Sequence, residues 1–425
     1  MRSLKVKTGG AVLASLGLFA LAACGASDGS TADGGSDSVS GGGSDIPIGL
    51  VLPLSGSIAA LGEDQSAGFN YVIDQINDAG GVKSMGGAKI AVHEVDDTSE
   101  PRIAADESRR LVQQENVVAI AGYLTTNQVL AAAPLLDQLK VPGLSVTGTT
   151  TGPGSYMFSN GFTVDGIASS SVNFLEFLNE SQNGSLKRVA LAYQDYEAAQ
   201  AAAEVEKELL DLNGYDVVGE VSLSGTASDL GPAILKLRAL QPDAVLSYAL
   251  NEVGIRLHQA RAAHKYNDPV WIGAAGGWTE KDVWNALGEK TAQQTLGERS
   301  FAVGYYDASL GLESTDDLVA SAKDAGVESD FGGHFVMGAQ TARTLQAALE
   351  LAGETGEITP ESVRNGLENL ELTFDGGNVY LPRDELSFGE DRLYEDQTGV
   401  VLQWTKDGSQ EPLWPEQFAR VEPRV

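Results

Sequence analysis

The chain has 425 residues, and 28 Lys and Arg against 59 Asp and Glu give it a formal charge of −31 at pH 7. A single cysteine rules out a disulfide scaffold, a Cys-based zinc ribbon and a dithiol redox centre within one chain. So negative a charge argues against nucleic acid or an anionic membrane surface as a partner, since both are polyanions; 42% hydrophobic and 20% charged residues make an ordinary globular balance, at a length that divides into two or three cores.

Arg2, Lys5 and Lys7 form a short basic head, and Gly9 to Ala23 then run without a charge, carrying Val12, Leu13, Leu16, Leu18, Phe19 and Leu21. An apolar run of about 7–15 residues has the length of a secretory signal's hydrophobic region, short of the roughly 20 that a spanning helix needs. It stops at Leu21-Ala22-Ala23-Cys24, which resembles the lipobox of bacterial lipoproteins, where the Cys is lipidated and becomes the mature N-terminus. The only thiol of the chain stands at that site, and two attached acyl chains anchor stably where one is marginal. An ordinary cleaved signal with an incidental Cys24 is the alternative. The expectation is a signal peptide over 1–23, then a lipidated Cys24 and a tether to residue 45. The tether is almost all Gly, Ser and Asp, a composition that behaves as a flexible coil reaching about 25 Å. Its Gly25-Ala26-Ser27-Asp28-Gly29 fits the G-x-S-x-G hydrolase elbow in letters only, because that motif needs a strand before it and a helix after it.

From Ile46 strands and helices alternate. Ile48 to Leu52 reads as a strand closed by Pro53 and Ser55-Gly56, and Phe69, Val72, Ile73 and Ile76 recur at helical spacing before Gly80-Gly81. Lys89 to Val95 is a strand, and Ile103, Ala104, Leu111 and Val112 mark a helix that Pro101 opens. Val117 to Ala121 is a strand, Val129, Ala132, Ala133 and Leu136 a helix, and Leu144 to Val146 a strand. A second series follows Asp165. It has helices marked by Ile167 and Leu178, by Val205 and Leu212, by Leu230 and Leu237, and by Val253 and Ala260. Strands Val189 to Ala192, Val217 to Val221, Ala244 to Leu250 and Val270 to Gly273 lie between or after them. Thr279-Glu280-Lys281-Asp282 then opens a helix in capping-box style. Helices around Leu345 and Val363-Leu367 precede a tail of strand and turn ending with Val400 to Trp404 and Lys406-Asp407-Gly408. Alternation of this kind implies parallel sheets covered on both faces, here an α/β fold of two doubly wound lobes.

No catalytic or metal constellation emerges, and no cofactor is expected. His93, His258, His264 and His334 lack the spacing of a motif such as H-E-x-x-H, and neither G-x-x-x-x-G-K nor a strand-borne G-x-G-x-x-G occurs. Asp96-Asp97 at a strand end suits loop solvation or helix capping, and Glu204, Glu206 and Glu208 spread around the polar side of a helix. What stands out is hydroxyl-rich turns after strands: Ser55-Gly56-Ser57, Thr125-Thr126-Asn127 and Thr147-Gly148-Thr149-Thr150-Thr151. In open α/β sheets ligands sit beyond the strand C-termini, and hydroxyls with free N–H groups there suit an anion such as a carboxylate.

At these residues the chain resembles the leucine/branched-chain-amino-acid-binding family, the type I periplasmic substrate-binding proteins of ABC importers. The likeness runs from Ile46 to about Trp404. It rests on Ile48-Gly49-Leu50-Val51 with Leu54-Ser55-Gly56 and Gly62, then Asn77-Asp78-Ala79-Gly80-Gly81 and Asp96-Asp97-Thr98-Ser99-Glu100-Pro101. Ile120-Ala121-Gly122, Val141-Pro142 with Ser145, and Asp165 complete it. The resemblance implies two Rossmann-like lobes joined by three hinge crossovers, lobe 1 over 46–165 and 300–375 and lobe 2 over 166–299 and 376–425. It also implies a small-molecule ligand held between them, ABC permease subunits as partners, an anchor in the membrane through the lipid, and a monomer.

The resemblance places a carboxylate-binding hydroxyl on Thr126, with Thr125 beside it, and a backbone and hydroxyl pair on Thr147 and Thr149. It puts an ammonium-binding acid on Asp165 and a stacking tyrosine on Tyr196. The aromatic usual before Gly62 is Leu61 here, and the family's second ammonium-binding Glu falls on Ala275. Loss of that acid points to an organic acid, aromatic acid or amide beside an α-amino acid as ligand, with Tyr248 and Trp278 offering an aromatic wall. Thr98 and Thr125 stand where some members carry a disulfide. The function expected is an extracytoplasmic, lipid-anchored solute-binding protein of an ABC importer, not an enzyme. A ligand-sensing ectodomain partner of a receptor and a secreted hydrolase using a cleft acid such as Asp165 are the alternatives.

Overall fold

A computed structural model describes residues 39–40, 45–149, 155–373, 377–383, 385–394 and 398–425. The lipobox, Cys24 and the signal peptide lie outside the described residues, as do Thr150 and Thr151. Within the expected tether, Val39–Ser40 pair antiparallel with Glu357–Ile358, so these two residues have backbone partners where a free coil is expected.

Two sheets organise the chain. The first has five parallel strands: β1 (Ile46–Leu52), β2 (Ile90–Asp96), β3 (Ala119–Gly122), β4 (Gly143–Ser145) and β5 (Met157–Ser159), in the order β2-β1-β3-β4-β5. The second has five parallel strands, β6 (Arg188–Gln194), β7 (Asp216–Leu223), β8 (Ala244–Tyr248), β9 (Val270–Ala274) and β10 (Ser300–Gly304). The antiparallel β11 (Val400–Trp404) and β12 (Gln410–Trp414) extend it to the order β7-β6-β8-β9-β10-β11-β12.

Successive side chains of a strand point to opposite faces, and both faces are apolar here. On β1, Ile48, Leu50 and Leu52 enter one core and Val51 the other; on β6, Ala190 and Ala192 enter one and Val189 and Leu191 the other. Helices Ala59–Asp78 and Gly333–Gly353 cover one face of the first sheet, crossing where a Cβ on Gly68 would meet the Phe335 carbonyl at 2.0 Å. Asp64 on the first of these helices accepts the Phe335 N–H at 3.0 Å. That bond seats the start of the second helix, and with it His334 and Met337.

The second and third lobe boundaries fall later in the chain than the sequence reading put them. Ser300–Gly304 pairs with β9 and β11, which places it in the second sheet rather than the first lobe. Val379, Tyr380, Leu386, Phe388 and Tyr394 pack into the first core, although the tail from 376 was expected in lobe 2. The three crossings therefore run from β5 into the Val164–Ser181 helix, from β10 to the Glu313–Asp324 helix, and from Tyr394 to β11. Apolar pattern alone cannot choose between two cores of the same composition; hydrogen-bond pairing does.

Glu206 also departs from expectation. It is 2% exposed, and the Tyr193 hydroxyl donates to its carboxylate, whereas Glu204 and Glu208 on the same helix face solvent. Burial raises the proton affinity of its carboxyl well above the usual range.

Candidate ligand-binding cleft

The C-terminal ends of the strands in the first sheet carry a linked set of turns. Asp96, closing β2, accepts the N–H groups of Leu54, Ser55 and Thr98 and the Ser55 hydroxyl at 2.6–3.1 Å. Burial alone would raise the proton affinity of Asp96, but these donations outweigh it and bring the carboxyl below its usual range. Ser55 is thereby committed to Asp96 and is exposed. Asp97 is fully buried and accepts Gln128 Nε2 at 2.7 Å. Burial, with Asp96 adjacent, pushes its pKa up to about 6.

Gln128 joins Asp97 to the next turn. Thr125 caps the Thr126–Leu139 helix in a capping box, its N–H donating to Gln128 Oε1 at 2.8 Å. Thr126, first residue of that helix, accepts the Thr149 hydroxyl at 3.1 Å. The Thr147–Thr149 turn is held from beneath, for Ser145 Oγ donates to the Thr147 carbonyl at 2.7 Å and Ser159 Oγ to the Thr149 carbonyl at 3.2 Å.

The second sheet presents two abutting turns at the corresponding ends of its strands. After β8, Leu250 N–H donates to Gln194 Oε1 at 2.9 Å and Asn251 starts a helix. After β9, Ala275 adopts φ +68 and ψ 175, a region that residues with a Cβ rarely occupy. Gly276 and Gly277 follow, and a Cβ on Gly277 would fall 2.5 Å from the Ala249 carbonyl and 2.9 Å from the Gly254 Cα, so glycine there lets the two turns close. The expected capping box at Thr279 is not formed. Thr279 ends a short helix and donates weakly to the Ala275 carbonyl at 3.4 Å, and Glu280 takes the cap position of the Lys281–Leu287 helix without making a side-chain cap bond.

Between the lobes lies a cavity of about 330 Å³, at the small end of the range for small-molecule sites. Leu61, Leu124, Val146, Thr147, His334 and Met337 border it from the first lobe. Tyr248, Leu250, Asn251, Ala275, Thr279, Glu280 and Val303 border it from the second, and Phe162 and Tyr305 from the crossings. The Phe162 and Tyr305 rings stack at 5.6 Å, with the Arg383 guanidinium 4.0 Å from Phe162. An outer cavity of about 600 Å³ shares Leu61, Thr279, Glu280, Tyr305 and His334 with the inner one.

Of the residues expected at the site, Thr147, Tyr248 and Ala275 border this cavity. Thr125, Thr126 and Thr149 form the hydroxyl turns beside Thr147. Tyr196 stands edge-on to Tyr248, ring centres 6.1 Å apart; burial raises the proton affinity of both. Asp165 is exposed in the first turn of the Val164–Ser181 helix and does not border the inner cavity. Trp278 is completely buried in the second core, stacked on Trp271 at 6.0 Å and edge-on to His258 at 4.7 Å. It turns inward because Gly273 leaves room: a Cβ there would lie 1.9 Å from the indole.

Glu280, Phe162, Tyr305 and His334 border the cavity without having been expected there. For Glu280 a signal existed, an acid five residues beyond Ala275, the position expected to border the site. The other three reach the cleft only through the crossings and the return of the chain to the first lobe.

Comparison with known proteins agrees with this architecture. The family described as periplasmic binding protein matches residues 45–409. A Leu/Ile/Val-binding protein homolog of Brucella abortus is 26% identical over 388 residues, covering 88% of this chain and 92% of its own. The branched-chain amino acid substrate-binding protein of Streptococcus pneumoniae, solved with isoleucine, superposes with TM-score 0.66 at 19% identity over 87% of this chain and all of its own. A solute-binding protein of Rhodopseudomonas palustris, solved with 3,4-dihydroxybenzoic acid, does so with TM-score 0.67 at 23% identity over 86% of this chain and 95% of its own.

Proposed function

The chain belongs to the periplasmic binding protein family of ABC transporters, and from that premise we propose that it is the lipid-anchored solute-binding protein of an importer. In this reading it captures a small carboxylate-bearing solute, an amino acid or a related organic acid or amide, and passes it as a monomer to a permease without chemical change. The single observation that carries the reading is the 330 Å³ cavity bordered from both lobes, with apolar walls and the Thr147 hydroxyl turn at one side. Closing two lobes around a solute removes apolar surface from water and strengthens each polar contact inside. Periplasmic binding proteins are a known case of such hinge closure. Isoleucine and 3,4-dihydroxybenzoate, found in two structures of the same fold, each join a carboxylate to an apolar or aromatic body. A cavity with this lining suits that combination.

Isothermal titration of the chain against amino acids, aromatic acids and their amides tests the proposal. The expected result is micromolar or tighter binding to a member of the panel, with the solute recovered unchanged. Failure to bind any of them, or recovery of a product, overturns it.

A further inference from the structure

We propose that Arg261 and His258 are positioning residues for the second-lobe wall of the cleft: Arg261 fixes the tautomer of His258, and the Nε2 proton of His258 holds the turn that carries Ala275. The link to solute rests on the interlobe cavity being the ligand site. Both side chains project from the Asn251–Ala263 helix and both are fully buried. His258 Nε2 stands 3.1 Å from the Gly277 carbonyl, and Arg261 Nη1 stands 3.3 Å from His258 Nδ1. A carbonyl only accepts and a guanidinium only donates. One state of the ring satisfies both contacts, a neutral imidazole with its proton on Nε2 and its lone pair on Nδ1. The other tautomer would set two acceptors together at Gly277 and two donors together at Arg261. The imidazolium would keep the donor clash and add a like charge. Burial and the guanidinium both act against the charged ring, and Tyr266 is the further titratable group that bears on Arg261.

At one end the relay reaches the cleft. Gly277 donates its N–H to the Ala249 carbonyl at 3.0 Å while its own carbonyl is taken by His258, so the peptide units on both sides of that residue are held. Two residues earlier Ala275 keeps φ +68, and Ala275 and Gly276 border the inner cavity. Such a backbone conformation persists only where the surroundings over-determine it, and these bonds supply part of that constraint. At the other end Arg261 Nη1 donates to the Thr295 carbonyl at 2.8 Å and Nη2 to Ser300 Oγ at 3.0 Å. Ser300 opens β10, which runs on to the second crossing, so the cleft turn and the strand leading to that crossing share one anchor. Nη2 also reaches Asn267 Oδ1 at 3.4 Å, and the guanidinium lies 4.1 Å from the Trp271 ring. The hydrogen-bond partners of Arg261 among the described residues are all neutral. Enclosing a cation without a counter-ion is costly. What it provides is a donor that cannot become an acceptor, which a neutral amide or hydroxyl in its place would not guarantee.

Two measurements on the full chain separate this inference from the cleft reading beneath it. Nitrogen–proton NMR spectra of the imidazoles, with His258 assigned by its loss in His258→Gln, are followed from about pH 5 to 8. The expected result is an Nε2–H tautomer that does not titrate. In Arg261→Met, which keeps the bulk and loses the donor, the ring is expected to titrate or to populate the second tautomer. A titrating ring or an Nδ1–H tautomer in the unaltered chain overturns the relay, and so does an unchanged His258 signal in folded Arg261→Met. Leucine, phenylalanine and 3,4-dihydroxybenzoate are then titrated calorimetrically into the unaltered chain, His258→Phe and His258→Gln, with each fold checked by circular dichroism. Glutamine can return a donor to the Nε2 position, whereas phenylalanine keeps the ring without either contact. The tightest-binding probe is expected to weaken at least about tenfold in His258→Phe and less than about threefold in His258→Gln. Equal affinity in His258→Phe, or equal loss in both variants, overturns the link to solute and leaves the cleft reading standing. If His258→Phe does not fold, Arg261→Met carries the same comparison. If none of the probes binds the unaltered chain, the cleft reading falls and the link to solute with it, and the spectra still decide the tautomer.

Discussion

The hydroxyl of Thr149 donates to that of Thr126 at 3.1 Å, joining the turn after β4 to the start of the helix after β3. Thr126 is in turn placed by the Thr125 capping box, whose Gln128 is tied to the buried Asp97. A chain of side chains thus runs from the end of β2 to the end of β4. It fixes the relative positions of three turns at one end of the first sheet.

Thr126→Ala removes the acceptor from the Thr149 hydroxyl, and Thr149→Ala removes the donor. Each is expected to weaken solute binding by about 1–3 kcal/mol, the range for losing a hydrogen bond to a charged group or leaving a partner unsatisfied. Thr126→Ser, which keeps the oxygen, should restore most of the loss. Calorimetry on the best-binding solute checks this. Unchanged affinity in both alanine variants would remove the hydroxyl turns from the site.

Ala275 holds φ +68 with an extended ψ, at a cost of order 1–3 kcal/mol for a residue with a Cβ. Glycine relieves that cost but loses about 0.4–1 kcal/mol through a freer unfolded chain. Ala275→Gly is therefore expected to gain about 1 kcal/mol in urea unfolding. A loss of stability would show that the backbone there is not strained.

Asp97 binds its proton more tightly in the folded chain, with a pKa raised from 3.8 to about 6, than it does unfolded. Between those values the folded state holds more protons than the unfolded one, so stability falls as pH rises through the window. The contribution present near pH 4 and gone above pH 6 is on the order of 2 kcal/mol. Asp97→Asn, which cannot titrate, should remove this part of the slope in urea unfolding measured from pH 4 to 7. An identical slope in the variant would reject the assignment.

The strands were legible in the sequence because both faces of each sheet are covered, which leaves unbroken apolar runs such as Ile48 to Leu52. The hydroxyl turns were legible as loops between elements of opposite period. Which indole faces the cleft was not: Trp278 stands next to the turn in sequence, but the space above Gly273 draws it into the core. Glu206 was hidden for a similar reason, since alternating Glu residues on a helix reveal neither its exact phase nor the tyrosine waiting on β6. Phe162, Tyr305 and His334 come from three separate stretches, and only the pairing of β10 in the second sheet, followed by the return to the first lobe, brings them to one wall.

The last two strands to be made complete a sheet begun some two hundred residues earlier. β11 pairs with β10, β12 pairs with β11, and the Arg424 carbonyl accepts the Arg299 N–H at 2.9 Å. Synthesised from its N-terminus, the chain therefore leaves the ribosome with one edge of that sheet bare until its closing residues emerge. Early termination would expose an unpaired, apolar β10 to neighbouring molecules, which makes fragments lacking the final 25 or so residues candidates for aggregation rather than for partial activity.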